Sequence, residues 1–211
     1  GKAGLVNIHM GDGKGKLDFL KYILEETQIS AANMLPTHIN RSRTLMQEGI
    51  EYAKDFGGYI DLTTSSDPDF LEPEEVKAST GFGMDLKAGV SSDQITFSSD
   101  GQGSLPIFSP DGTFCGLGVG KVTSLYREMR DGVLTEKLPL SVALKPVTIN
   151  PAKLLKLSQK GRIEEGKDAD LVLADENSLE IDTVIAMGKI MVCNGQVLIK
   201  GTFEAQKNHN R

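Results

Sequence analysis

Cysteine is scarce in this chain: Cys115 and Cys193 are the only two in 211 residues. Two thiols form no disulfide framework and show no metal-ligand spacing, so the expectation is a reduced pair in a cytosolic protein. Also missing is any apolar stretch near the roughly 20 residues of a membrane-spanning helix, which excludes such a span. Basic charge is in deficit, since 29 acids against 23 bases leave a net charge of −6 with no long run of either sign. That surface repels phosphate backbones and argues against a nucleic-acid partner. There is no initiating methionine and no signal-peptide pattern. The chain opens on Gly1-Lys2-Ala3-Gly4 and runs straight into a strand-like segment, a start that reads as the middle of a longer protein. Low-complexity segments are absent, as are repeats beyond an alternation of strand and helix.

What is present is a soluble globular composition, 39% hydrophobic and 25% charged. Gly4 to Met10 reads as a short buried strand, and Leu17, Leu20, Ile23 and Leu24 then recur at helical spacing. Leu35 to Ile39 is a second strand despite Pro36, Thr44 to Phe56 a helix stopped by Gly57-Gly58, and Tyr59 to Thr63 a third strand. Glu72-Pro73-Glu74-Glu75 reads as a helix start, Gln94 to Ser98 as a fourth strand, and Ser99 to Gly103 as a loop. Helices are expected over Val119 to Arg130 and Pro139 to Leu144, and another from Asn150-Pro151 with Asn150 as its cap. From Gly161 the texture becomes short strands punctuated by Gly188 and by Asn194-Gly195, a strong hairpin signal. The tail 205–211 is polar and reads as disordered.

Four strands alternating with helices imply βαβ units and a parallel sheet, an α/β fold. A complete eight-stranded βα barrel takes about 250 residues. Residues 1–160 therefore hold half a barrel of about four βα units, and 161–204 a small all-β unit. Half a barrel exposes two sheet edges, so a missing amino-terminal half or further copies of the chain should cover them.

Of the three histidines, His9 and His38 stand at the ends of successive predicted strands, and Asp100 holds the equivalent place after the fourth. In a βα barrel, catalytic residues gather at that rim. Two imidazoles and a carboxylate from different strands suit a zinc-type ion. Each residue has another reading: a histidine at a strand end can be a hydrogen-bonded structural group, and Asp-Gly after a strand can be only a turn. Their shared position favours the site.

His9-Met10-Gly11-Asp12-Gly13, Pro36-Thr37-His38-Ile39-Asn40-Arg41 and Ser98-Ser99-Asp100-Gly101-Gln102-Gly103-Ser104 resemble, in order and spacing, the last three metal-binding strands of the isoaspartyl dipeptidases. Gly166-Lys167-Asp168-Ala169-Asp170-Leu171-Val172 resembles the entry to the β-sandwich shared across the amidohydrolase superfamily. The resemblance implies a cytoplasmic, oligomeric metallopeptidase of TIM-barrel fold. It would hydrolyse isoaspartyl (β-aspartyl) dipeptides with a hydroxide held between two zinc ions. It implies His9 and His38 as ligands of the second metal, Asp100 as ligand of the first and proton shuttle, and Arg41 and Ser104 as the residues that hold the dipeptide carboxylates.

The same resemblance calls for a His-x-His pair and a carbamylated bridging lysine on earlier strands. No His-x-His occurs here. The expectation is a site that takes one zinc ion or none in this chain alone, and is inactive without the preceding half. Two other readings stay open: a different amidohydrolase, such as a cyclic amide or imide hydrolase or a deacetylase, and a metal-free assembly module.

Overall fold

The computed structural model describes residues 3–11, 13–66, 74–109 and 111–201. The chain divides into two compact units, residues 1–156 and 157–211. Glu72 and Pro73 of the expected helix start, and the expected tail 205–211, lie outside the described residues.

In the first unit β1 (Val6–His9) pairs in parallel with β2 (Met34–Thr37), so that His9 stands opposite Thr37. Between them runs α1 (Asp18–Glu26), which buries Leu20. β3 (Ile60–Thr63) pairs in parallel with β4 (Ile95–Ser98), with Thr63 opposite Ser98. The helix α2 (Arg43–Asp55) joins β2 to β3. Its start is fixed by Ser42, whose hydroxyl accepts from the Leu45 amide at 3.3 Å, and its end by Gly57 at φ 67°. β2 runs beside β3 without a ladder. Strand geometry supplies the reason. Thr37 aims its carbonyl at β1, where the Met10 amide donates to it, so the neighbouring Pro36 turns toward β3 and has no N–H to offer.

Alternation along β3 and β4 divides their side chains. Ile60, Leu62, Ile95 and Phe97 enter the hydrophobic core with Leu45, Met46, Tyr52 and Phe82, while Asp61, Thr63, Thr96 and Ser98 share the opposite face. Each fully buried large apolar side chain stabilises the fold by about 1.5–3 kcal/mol. Phe82 and Phe97 meet edge to face, their centroids 5.7 Å apart.

α3 (Ala78–Lys87) precedes β4, and Glu74 and Glu75 stand ahead of it rather than in its first turn. After β4 the chain makes an antiparallel hairpin, β5 (Ser104–Phe108) with β6 (Phe114–Val119). The helix expected from Val119 instead begins at Ser124: α4 spans Ser124–Leu134, because Val119 is still paired with Ser104. α5 (Leu140–Ala143) and α6 (Ile149–Leu154) follow. Asn150 is not the cap of α6. Its carboxamide donates to the carbonyls of Ser92 and Ile95, both at 2.7 Å, and so ties the helix to the entry of β4.

The second unit is an antiparallel sheet in the order β10-β9-β8-β7, from β7 (Leu171–Ala174), β8 (Ile181–Ala186), β9 (Lys189–Cys193) and β10 (Gln196–Val197). The expected Asn194-Gly195 hairpin turn joins β9 to β10. Among the described residues no helix is long and apolar enough to cross a membrane.

Candidate metal centre

Three residues converge where the parallel strands of the first unit end. His9 closes β1, His38 directly follows β2, and Asp100 lies two residues beyond β4. The Nδ1 atom of His9 is 2.8 Å from Nε2 of His38. One ligand atom from each of His9, His38 and Asp100 lies within 4.8 Å of the others. Two imidazole nitrogens and a carboxylate this close form a donor set that fits one borderline divalent cation. The group offers three ligands, the number a catalytic zinc takes from protein while keeping a position for water or substrate.

Local backbone conformation aims two of the three. His38 sits at φ 65° and Asp100 at φ 45°, in the left-handed region that costs a non-glycine residue about 1–3 kcal/mol unless its surroundings enforce it. Around His38 the enforcement is visible. The Arg41 amide donates to the His38 carbonyl at 3.0 Å. Asn40 is almost fully buried; it accepts from the Thr63 amide at 2.7 Å and donates to the carbonyls of Thr63 and Val76. Around Asp100 the loop closes on itself, with the Gly103 amide on the Asp100 carbonyl at 3.0 Å. A Cβ at Gly103 or Gly120 would stand 2.8 Å from that carbonyl oxygen, so glycine is required at both.

His38 is buried, and that burial lowers its pKa below the usual histidine value; Arg41 and His9 lower it further and Asp100 opposes them. The outcome is a neutral imidazole, the form that can ligate. Its Nδ1 lies 2.6 Å from the Thr63 hydroxyl, a bond that orients the ring and leaves Nε2 toward His9 and Asp100.

Beneath these residues lies a buried carboxylate that the sequence reading passed over. Asp61 accepts from the hydroxyls of Thr37 and Ser98, each at 2.5 Å, and of Thr96 at 2.7 Å. Burial pushes its carboxyl up to about 6, against the lowering effect of the three hydroxyls.

A cleft of about 980 Å³ opens beside the group, lined among others by His38, Asp100, Arg41 and Ser104. Arg41 ends the turn after His38 and is exposed, and Ser104 begins β5. His9 reaches the group through His38 and is not among the lining residues. Arg127 also lines the cleft, but its guanidinium is engaged by the carbonyls of Thr64 and Ser66 and by Glu128. The hairpin supplies the apolar wall, with Leu105, Pro106, Ile107 and Val119.

Comparison with known proteins places this geometry in context. A β-aspartyl dipeptidase of Fervidobacterium islandicum AW-1, solved in complex with the β-Asp-Leu dipeptide, is 41% identical, covers 96% of this chain, and superposes with a TM-score of 0.81. The chain spans 51% of that structure's length. An N-acetylglucosamine-6-phosphate deacetylase from Pasteurella multocida shares the fold at 16% identity and a TM-score of 0.51, over 88% of this chain and 56% of its own. A curated protein of Escherichia coli (strain K12), alpha-D-ribose 1-methylphosphonate 5-triphosphate diphosphatase, is 47% identical over 57 residues, 26% of this chain and 15% of that one. The amidohydrolase family matches residues 5–191, and to that family this chain belongs.

Proposed function

We propose that the chain is the metal- and substrate-binding part of a zinc-dependent dipeptidase that cleaves β-aspartyl (isoaspartyl) dipeptides. The observation that carries this is the meeting of His9, His38 and Asp100 at the mouth of a cleft that also presents Arg41 and Ser104. Sequence likeness to a dipeptidase holding β-Asp-Leu supports the substrate class.

His9, His38 and Asp100 would hold zinc. A bound zinc ion supplies Lewis acidity toward the amide carbonyl and lowers the pKa of water. The chain's own groups do the rest. Arg41 grips a substrate carboxylate through two parallel N–H donors, and Ser104 donates a hydroxyl to a carboxylate. Together they set the β-linked amide against Asp100. The Asp100 carboxylate takes a proton from the attacking water and returns it to the departing amine nitrogen. The apolar side chains of the hairpin line one flank of the cleft.

On this reading the first unit is half of a βα barrel and the second a piece of a β-sandwich. The uncovered Val6 on β1 and Phe19 and Tyr22 on α1 support a partner segment there, supplying the remaining ligands. Free thiols at Cys115 and Cys193 support a cytoplasmic setting, and the exposed apolar residues of the hairpin support an oligomer.

The deciding assay follows release of leucine from β-Asp-Leu by the protein joined to its partner segment and loaded with zinc, with α-Asp-Leu as control. Turnover of the β-linked isomer alone is the expected result; no turnover of it removes the proposal. Arg41→Lys should raise KM by about 10- to 100-fold with kcat nearly unchanged, because a lysine keeps the charge and loses the paired geometry, a difference of about 1.5–3 kcal/mol. An unchanged KM would point instead to an amidohydrolase whose substrate lacks that carboxylate.

A further inference from the structure

We propose that Asp61 is a positioning residue of the metal centre, setting the separation between His38 and Asp100 from beneath. The proposal rests on the metal-centre reading and extends it to a residue that touches neither ion nor substrate.

Asp61 lies in the middle of β3 and is almost fully buried, so it cannot reach a ligand in the cleft. Its three hydroxyl donors come from the two flanking strands. Thr37 immediately precedes His38, and Ser98 comes two residues before Asp100. Thr96 fills the other carboxylate oxygen. One side chain thus fixes the ends of two of the three ligand-bearing strands, β2 and β4, to β3.

The link to β2 matters more than an ordinary side-chain bond. β2 and β3 have no backbone ladder between them, and Pro36 removes the donor on that side. What registers β2 against β3 is side-chain bonding: Thr37 to Asp61, His38 to Thr63, and Asn40 to the Thr63 backbone. Hydroxyl-to-carboxylate bonds are stronger than neutral ones. Deleting the carboxylate takes the acceptor from three hydroxyls, leaves Thr37 and Ser98 only each other at 3.3 Å, and loosens β2 against β3. A shift there carries His38, together with His9 on the laddered β1, away from Asp100.

The test is zinc affinity, measured by chelator competition on the protein joined to its partner segment, with the visible spectrum of the cobalt-loaded form as a second readout. Asp61→Ala should weaken zinc binding by about 10- to 100-fold, the usual effect of losing a group that orients ligands, and should alter the cobalt band. Asp61→Asn should recover most of that affinity, because its carbonyl still accepts two hydroxyls and its amide donates to the third. Affinity in Asp61→Ala equal to the parent, whatever happens to its melting temperature, overturns the proposal. So does failure of Asp61→Asn to bind better than Asp61→Ala. If the alanine variant does not fold, Thr37→Val carries the same test, and unchanged affinity there also overturns it. A parent protein that takes up no zinc and shows no cobalt spectrum instead refutes the metal-centre reading itself.

Discussion

Asp100→Asn is expected to lower kcat for β-Asp-Leu by about 10³-fold while changing KM little, within the 10²- to 10⁴-fold span of a lost general acid–base group. The substitution is nearly isosteric, and asparagine tolerates the left-handed backbone that Asp100 occupies at φ 45°. The Gly103 amide would still reach the residue 100 carbonyl, so the loop keeps its shape. What disappears is a basic oxygen able to accept a proton from water and pass it on. Steady-state kinetics beside a metal determination checks this. A variant with full zinc content and kcat within tenfold of the parent would show that another group moves the proton.

The second large effect concerns stability. Asp85 of α3 is fully buried, and neither carboxylate oxygen has a hydrogen-bond partner among the described residues. Burial alone pushes its carboxyl up to about 8. The native state therefore holds a proton at Asp85 that the unfolded chain has released, and between about pH 4 and pH 8 the native state binds more protons. Stability then falls as pH rises through that window, which is the opposite of the usual carboxylate. At neutral pH the cost is on the order of 2–4 kcal/mol, from about 1.4 kcal/mol per pKa unit. Asp85→Asn removes the titration and keeps the size. Its melting temperature at pH 7.5 should exceed the parent's by about 5–10 °C, since 1 kcal/mol moves a domain of this size by about 2–4 °C. At pH 4.5 the two should nearly coincide. A residual slope below pH 6 remains in the variant, because Asp61 is raised to about 6 and titrates with the same sign. Melting curves of both proteins at the two pH values check this, and an equal or lower melting temperature for Asp85→Asn at pH 7.5 would refute it.

How much of this was legible depends on how local each signal is. The first four strands announce themselves because each is a short apolar or β-branched run cut off by polar residues or glycine, and the candidate ligands follow because each stands where such a run stops. The hairpin of β5 and β6 was not legible. Pro106 breaks the first run and Gly116 and Gly118 thin the second, so neither has the composition of a strand. Their pairing, not their propensity, makes them strands, and the same pairing delays α4 to Ser124. Asn150 before proline looks like a cap in any sequence; its side chain is drawn instead to carbonyls of Ser92 and Ile95, far away along the chain. Asp61 is the deepest case. Within Tyr59-Ile60-Asp61-Leu62-Thr63 it reads as the outward position of an alternating strand, and its three partners are 24, 35 and 37 residues distant. Only the folded arrangement reveals that its outward face is an interior.

The arm formed by β5 and β6 has a consequence for how such a protein can change its diet. It is rooted beside Asp100 by paired amides, Gln102 onto Gly120 and Gly120 onto Gly103, and it turns back at Asp111-Gly112. On the proposed reading, the rim that would hold the ion comes from parallel strands bonded through Asp61 and Asn40, whereas one flank of the cleft comes from this outlying ribbon. Residues such as Leu105, Ile107 and Val119 can therefore drift, lengthen or shrink to suit a new leaving group without disturbing the machinery that breaks the bond.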